Sequence, residues 1–166
     1  MNKKDLLDRF NEFEVEVPML VDDLNIVLSK SKNYKNIQNI YDLKNVDLVE
    51  SFYLDVINGI ESVDFSLERL DRIIIAYLGE TLIFHAGGNW ELSLDNDFTY
   101  GTPIIRGFKY DNDGIGFSPV GIRERLLREK EKGVFIKSLS YCINKEKVQS
   151  DLMKQMIELS KKNRRK

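Results

Sequence analysis

Cysteine and histidine each occur only once among the 166 residues of this chain. A lone Cys142 cannot close a disulfide bond within the chain, and one cysteine with one histidine cannot supply the ligands of a structural zinc site. Long apolar runs are also missing. No stretch approaches the roughly 18 residues of a membrane-spanning helix, and the N-terminus lacks the apolar region of a signal peptide. We therefore expect a cytoplasmic protein without a membrane partner.

The length and composition are those of one folded domain. Apolar residues make up 42% of the chain and charged residues 31%, which is ordinary for a globular protein, and most domains hold about 100–200 residues. We expect a single domain over residues 1–166, in which the basic tail at about 161–166 is frayed.

Apolar residues recur at spacings of three and four over much of the chain, which predicts amphipathic helices. Pro18 is typical of a first helical turn and predicts the start of a second helix there, and Asp47 with Glu50 has the spacing of a capping box. Between residues 134 and 143 the helical and strand periods compete, and the helix fits more of the apolar positions. The predicted helices cover about residues 5–14, 19–30, 48–58, 66–85, 118–132, 134–143 and 145–161.

The apolar period changes to two after Gly87 and Gly88, which predicts short strands. Three extended runs, at 89–94, 103–109 and 115–117, are separated by loops rich in Asp, Asn and Gly. Such loops tolerate positive φ and favour tight turns. The predicted fold class is therefore α+β, with helices around a small three-stranded antiparallel meander.

The net charge of −2 conceals two parts of opposite sign. Residues 1–113 carry 21 acidic and 11 basic side chains, a balance of −10, whereas residues 114–166 carry 6 acidic and 14 basic side chains, a balance of +8. Such a division is typical of an acidic partner-binding face, of a basic arm for nucleic acid, or of two parts that attract each other in the fold.

Acidic residues near the predicted sheet are the candidates for binding a basic protein partner, because acids that share one face attract such a partner and raise its association rate. The candidates are Glu80, Glu91, Asp95, Asp97, Asp111 and Asp113. The first four could alternatively converge on a metal ion. The chain has no Glu-x-Lys motif, however, and Asp95-Asn96-Asp97 does not continue as a calcium-binding loop. We therefore expect no metal site.

Catalytic constellations are not evident in the sequence. His85 would need a nucleophile and a carboxylate beside it, yet no serine lies in a Gly-x-Ser-x-Gly motif, and the end of a helix suits a histidine that interacts with the helix dipole. Cys142 has apolar neighbours, which favours a buried side chain over a reactive thiol. Gly87 and Gly88 follow a helix, so they end it and do not form a phosphate loop. We expect neither an enzyme nor a bound cofactor.

Five of the last six residues are bases, which is the strongest nucleic-acid signal in the chain. The tail has no interleaved aromatic residues on which bases could stack, and the acidic isoelectric point of the chain differs from that of dedicated nucleic-acid-binding domains. We interpret the tail as a solubilising helix end and expect no nucleic-acid partner.

Four short motifs follow one another between about residues 67 and 143. They are Tyr77-Leu78-Gly79-Glu80, Gly87-Gly88-Asn89-Trp90-Glu91-Leu92, Tyr100-Gly101-Thr102-Pro103 and Gly116-Phe117-Ser118-Pro119. In this order they resemble a group of small bacterial proteins of unassigned function, some of which resemble immunity proteins, or antitoxins, of polymorphic toxin systems. The resemblance implies a helix that leads through Gly-Gly-x-Trp into a short meander. It implies a shared fold without a shared target, and it supplies no catalytic motif.

The function expected from these observations is protein binding without catalysis. The resemblance implies an immunity protein that neutralises a cognate bacterial toxin, and the charge distribution indicates that it binds through an acidic surface. Two alternatives remain open: a structural or adaptor protein that self-associates through the apolar segment 134–143, and a hydrolase with a site around His85, Glu80 and Glu91. The sequence leaves open the identity of the toxin, the binding surface and the oligomeric state.

Overall fold

Residues 2–111 and 114–144 are the part of the chain that the structure, a computed structural model, describes. Helices account for 60% of these residues, and none of the helices combines the length and apolarity that a bilayer crossing requires. The helix expected at 145–161 and the basic tail lie outside the described residues. The elements are α1 (Lys3–Lys30), a 3-10 turn (Leu43–Asn45), α2 (Val46–Ile57), α3 (Leu67–Ala86), β1 (Asn89–Leu92), β2 (Pro103–Arg106), α4 (Pro119–Glu129) and α5 (Val134–Ile143).

A single helix, α1, replaces the two helices expected on either side of Pro18. Pro18 has no N–H to donate to the carbonyl group of Glu14, a loss that normally kinks or breaks a helix. Both residues are exposed, so water can bond to that carbonyl group. The buried side of α1 continues through the proline from Leu6 to Leu28, and the burial of this apolar side outweighs the local loss. The helix break predicted at Pro18 is wrong.

The core is built around α3, which packs against α1, α4 and α5. At its start, Ser66 Oγ accepts the backbone N–H of Arg69 (3.2 Å), and Gly87 ends it with a φ of 74° that favours glycine. Nine residues of this helix are buried. The helix predicted between Ser66 and His85 is confirmed to within one residue at each end.

β1 and β2 form an antiparallel sheet of two strands. The register places Asn89 opposite Arg106 and Leu92 opposite Pro103. β1 packs against α1, and β2 packs against α3 and α4. The sheet therefore covers one side of the helical core.

The three-stranded meander predicted from the sequence is wrong, and the α+β class is wrong with it. Among the described residues, the third run makes one bridge, in which Ile105 and Phe117 exchange two backbone hydrogen bonds of 2.8 and 2.9 Å. Gly114 and Gly116 on this segment have φ angles of 61° and 80°, which interrupt an extended strand. The described fold is mostly helical, with one small sheet.

α4 and α5 follow the sequence prediction closely. Ser118 Oγ accepts the N–H of Gly121 (3.1 Å) and Pro119 occupies the first turn of α4, which confirms the predicted start of that helix. Segment 134–143, where two periods compete in the sequence, is the helix α5.

α5 has no capping side chain of its own, and Glu50 of α2 supplies one. Glu50 is 1% exposed, and its carboxylate accepts the N–H groups of Gly133 (2.6 Å) and Phe135 (2.7 Å). The helix dipole also favours a carboxylate at this end of a helix. The capping box predicted from Asp47 and Glu50 is therefore wrong, because Glu50 caps a helix that is distant in the sequence.

Asp71 of α3 joins three helices. Its Oδ1 accepts the hydroxyl hydrogen of Tyr53 from α2 (2.7 Å), and its Oδ2 accepts an N–H of Arg123 from α4 (2.7 Å). Only 16% of the Arg123 side chain is exposed, so this pair is screened less by solvent than an ion pair on the open surface.

Candidate partner-binding site

Gly79, Glu80 and Trp90, which belong to the motifs noted in the sequence, form one packed unit. Trp90 lies so close to Gly79 that a Cβ atom there would overlap the indole ring. The indole Nε1–H donates to Glu80 Oε1 (2.8 Å), and Phe13 of α1 meets the indole edge-on with the ring centroids 5.2 Å apart. These contacts hold β1 against α3 and α1. The carboxylate of the candidate Glu80 therefore accepts a hydrogen bond from within the same chain.

Two further candidate acids lie beside Arg106 of β2. The Arg106 guanidinium forms an ion pair with Asp95, and its Nε lies 3.9 Å from a carboxylate oxygen of Glu91. Both carboxylates are about half exposed, so these pairs add little to the stability of the fold. Glu91 and Asp95 therefore lie beside the same base, Arg106, and its positive charge neutralises part of theirs.

The candidate acids in the loops are also engaged within the chain. Asp97 Oδ1 accepts the hydroxyl (2.6 Å) and the N–H (2.7 Å) of Thr99, and these hydrogen bonds hold the pKa of Asp97 below its usual value. Asp111 accepts the backbone N–H groups of two loop glycines, at 3.0 and 3.2 Å. The last candidate, Asp113, lies outside the described residues. Each described candidate acid therefore has a hydrogen-bond or ion-pair partner within the chain, and the role of these acids in partner binding stays a prediction.

The three residues of the hydrolase alternative each contact a different group. His85 Nε2 donates to the carbonyl oxygen of Tyr41 (2.7 Å). Glu80 and Glu91 have the separate partners described above. Burial raises the pKa of the Cys142 thiol to about 11, which leaves little thiolate near neutral pH. Within residues 2–111 and 114–144, no group of three or more His, Cys, Asp or Glu side chains is placed to hold a metal ion.

The outer side of α1 carries acids and apolar side chains in one continuous row, here called the α1 stripe. The members follow one another at spacings of four and three, which places them on the face opposite the buried side of the helix. All of them are exposed, Val15 to 81% of its full surface. The α1 stripe consists of Asp8, Glu12, Val15, Met19, Asp22 and Ile26.

The spacing of the α1 stripe is present in the sequence, and the predicted break at Pro18 hides it. The predicted helices at 5–14 and 19–30 would carry two and three stripe residues, with Val15 between them, on faces whose relative direction is undefined. A continuous α1 turns the same positions into one face about 27 Å long, from the 1.5 Å rise per residue of an α-helix. The signal that could have found it is the unbroken four-and-three spacing on both sides of the proline.

A groove of about 810 Å³ lies between α4, α5 and the loops at 98–99 and 115–118; it is here called the α4–α5 groove. Three exposed apolar side chains line it, Phe98 (82% exposed), Ile115 and Tyr141. Its charged lining residues are Arg125, Arg128, Lys137 and Glu124. The groove is assembled from segments far apart in the sequence, so no local pattern indicates it.

No family model matches this chain, and no curated protein or solved structure matches it.

Proposed function

We propose that this protein binds a basic protein partner through the α1 stripe and catalyses no reaction on it. The observation that supports the proposal is the row of exposed carboxylates and exposed apolar side chains along one face of α1. Removing apolar atoms from water at an interface lowers the free energy of the complex. Carboxylates select a basic partner and speed its approach. A helix that presents both at spacings of three and four is suited to docking on a partner surface.

The partner that we propose is a bacterial toxin domain, neutralised when the α1 stripe covers its basic substrate-binding surface. The toxin class rests on the resemblance of the four sequence motifs to proteins that resemble immunity proteins. A toxin that acts on nucleic acid carries a basic surface, because its substrate is negatively charged. The acidic charge of the α1 stripe is complementary to such a surface. We expect the complex to form in the bacterial cytoplasm.

The test is to identify the neighbouring genes and to coexpress this chain with any toxin-like product that they encode, with growth and copurification as the readouts. We expect the natural chain to restore growth and to copurify in a fixed ratio. Glu12→Lys combined with Asp22→Lys should lower the affinity, measured by calorimetry, about 10–100-fold, because like charges then face each other across the interface. Higher salt should weaken the binding of the natural chain.

Glu14→Lys is the matched control for these charge reversals. Glu14 is an exposed acid on the same helix, and it lies about 120° around the helix axis from the middle of the α1 stripe. We expect this variant to bind as the natural chain does. Equal losses in both variants, or a loss in neither, would contradict the role of the α1 stripe. A natural chain that neither restores growth nor copurifies would contradict the proposed function.

A further inference from the structure

The α1 stripe and the α4–α5 groove have opposite charge, both expose apolar side chains, and they share no residue. We propose that the α4–α5 groove binds the α1 stripe of a second copy of this chain. This self-association does not depend on the proposed function. Only the competition with a toxin, described below, rests on it.

Charge complementarity favours a second copy as the occupant of the groove. Three bases and one acid, Glu124, line the groove, whereas the charged members of the α1 stripe are three acids. Glu129 lies 2.9 Å from Arg125 and 3.7 Å from Arg128, so one carboxylate offsets part of two guanidinium charges. Asp111 accepts the N–H of the lining residue Gly116, so an acid also lies beside the loop wall of the groove. All three bases lie on the α4 and α5 walls, where they outnumber Glu124 and Glu129 by three to two. This local positive charge attracts the α1 stripe and repels a basic toxin.

The apolar parts of the two surfaces are complementary as well. Phe98, Ile115 and Tyr141 are large side chains that stay exposed at the groove. Val15, Met19 and Ile26 are exposed on the α1 stripe. A groove of about 810 Å³ has room for several side chains of this size, since sites for drug-sized ligands measure about 300–1,000 Å³. Contact between the two surfaces would remove both apolar sets from water.

A contact between the α1 stripe and the α4–α5 groove limits which assemblies can form. One copy contributes its α1 stripe and the next contributes its α4–α5 groove, so the contact joins different surfaces. When two copies exchange these surfaces reciprocally the contact closes into a two-fold dimer, and when they do not it closes into a larger ring or extends as a chain. Because the same α1 stripe is the proposed toxin site, self-association and toxin binding would exclude each other.

Sedimentation velocity of the full chain at increasing concentration tests the self-association. We expect the weight-average mass to rise from the 19.4 kDa of one chain to twice that value or more, and to fall again in high salt. Glu12→Lys with Asp22→Lys should abolish the rise, and so should Arg125→Glu with Arg128→Glu. A variant that carries all four changes should associate again, because both surfaces have then exchanged their charge.

Matched controls keep the result specific to the two surfaces. Glu14→Lys on α1 and Lys132→Glu beyond α4 reverse the charge of exposed residues that belong neither to the α1 stripe nor to the groove lining. Both should associate as the natural chain does. A natural chain that stays monomeric at every concentration overturns the proposal. The variant with all four changes also overturns it if it fails to associate while its circular dichroism spectrum shows intact helices.

A photo-crosslinking amino acid in place of Tyr141 identifies the occupant of the groove. Mixing isotopically labelled and unlabelled chains separates crosslinks between copies from those within one copy. Crosslinks to α1 of another copy support the proposal. Crosslinks to residues 145–166 of the same chain, or only to the coexpressed toxin, overturn it. If the Arg125 and Arg128 changes abolish self-association and retain or strengthen toxin binding, the proposed function stands separately from this inference. Self-association without toxin binding means that only the proposed function has failed.

Discussion

At the scale of single residues, Gly79 shows how closely α3 and β1 are packed. We expect Gly79→Ala to lower the free energy of unfolding by about 1–3 kcal/mol or more, the usual cost of overpacking a core, because its Cβ would overlap the Trp90 ring. The measurement is the midpoint of urea denaturation at an unchanged slope. The same change should cost less in a Trp90→Leu background, since the overlapping ring is then absent.

Gly121→Ala in α4 is the matched control, since Gly121 is also a helical glycine. The nearest atoms to an added Cβ there lie at 3.3 Å on Ser118 and 3.4 Å on Phe98, and Phe98 is exposed and able to move. Gly121 lies in the first turn of α4, where the gain from alanine is at most the ~0.5–1 kcal/mol of a helix interior. The contact with Ser118 offsets part of that gain, so we expect a smaller loss of stability than at Gly79. Equal losses at positions 79 and 121 would contradict the packing explanation.

The structural character of Gly79 and Trp90 was predictable, but their mutual contact was not. A glycine inside a helix and a tryptophan in a strand indicate packing roles in any fold. Which side chain fills the space above Gly79 depends on how the strand returns along the helix, and local patterns do not specify that path. The loop acids show the same limit, because the bonds of Asp97 and Asp111 to nearby N–H groups follow from turn geometry. Their role in partner binding stays a prediction.

At the scale of elements, Glu50 connects two helices that no sequence pattern relates. We expect Glu50→Gln to lower the free energy of unfolding by about 1–3 kcal/mol. The amide retains one acceptor oxygen and places an NH₂ donor against the second N–H group of the α5 N-terminus. Amide hydrogen exchange should also become faster at Gly133 and Phe135, the residues whose N–H groups the carboxylate accepts.

Glu68→Gln provides the comparison for this variant. Glu68 is an exposed acid in the first turn of α3, where neutralisation should cost only about 0.3–1 kcal/mol through the helix dipole. If the two glutamine variants have equal stability and equal exchange rates at the start of α5, the capping role of Glu50 is refuted.

The elements that local signals define were predicted well, and those that depend on tertiary contacts were not. Ser66 and Ser118 cap the helices that follow them, because a cap needs only an N–H group three residues away. The continuity of α1 through Pro18 depends on burial on the opposite side of the helix, which the proline itself does not reveal. The predicted third strand does not form at Gly116, because the φ angle of this glycine is set by the fold and could not be predicted from the sequence.

At the scale of the whole molecule, three buried tyrosines predict loss of stability in alkaline solution. Burial is the main cause that raises the pKa values of Tyr34, Tyr53 and Tyr77 above the ordinary 10.0, and hydrogen bonds to carboxylates raise the pKa values of the first two further. Unfolded tyrosines ionise near pH 10. Above that pH the unfolded state binds fewer protons than the folded state, so stability falls as the pH rises.

The measurement is the midpoint temperature of thermal unfolding from about pH 8 to about pH 11, with phenolate absorbance recorded in parallel. We expect the midpoint to fall progressively above about pH 10, and the slope to become shallower in Tyr53→Phe, which removes one ionising group. A midpoint that does not change with pH over this range would contradict the prediction.

The division of charge along the chain reappears as two surfaces of the folded molecule. The first, acidic part supplies the α1 stripe, and the second, basic part supplies the bases of the α4–α5 groove. Part of the division is satisfied internally, since Arg123 of the basic part pairs with Asp71 of the acidic part. The sequence indicated that the two parts could attract each other or a partner. Where their charged side chains lie on the surface depends on the fold and could not be predicted from the sequence.

The hydrogen bonds of Glu50 also bear on the order in which the chain can fold during synthesis. Glu50 leaves the ribosome 85 residues before Phe135, whose N–H group its carboxylate accepts. Until then the carboxylate has no N–H donor from the start of α5, and burying its charge without one would cost several kcal/mol. We expect the nascent chain to keep this face of α2 in water, so that the core closes only when the start of α5 has emerged.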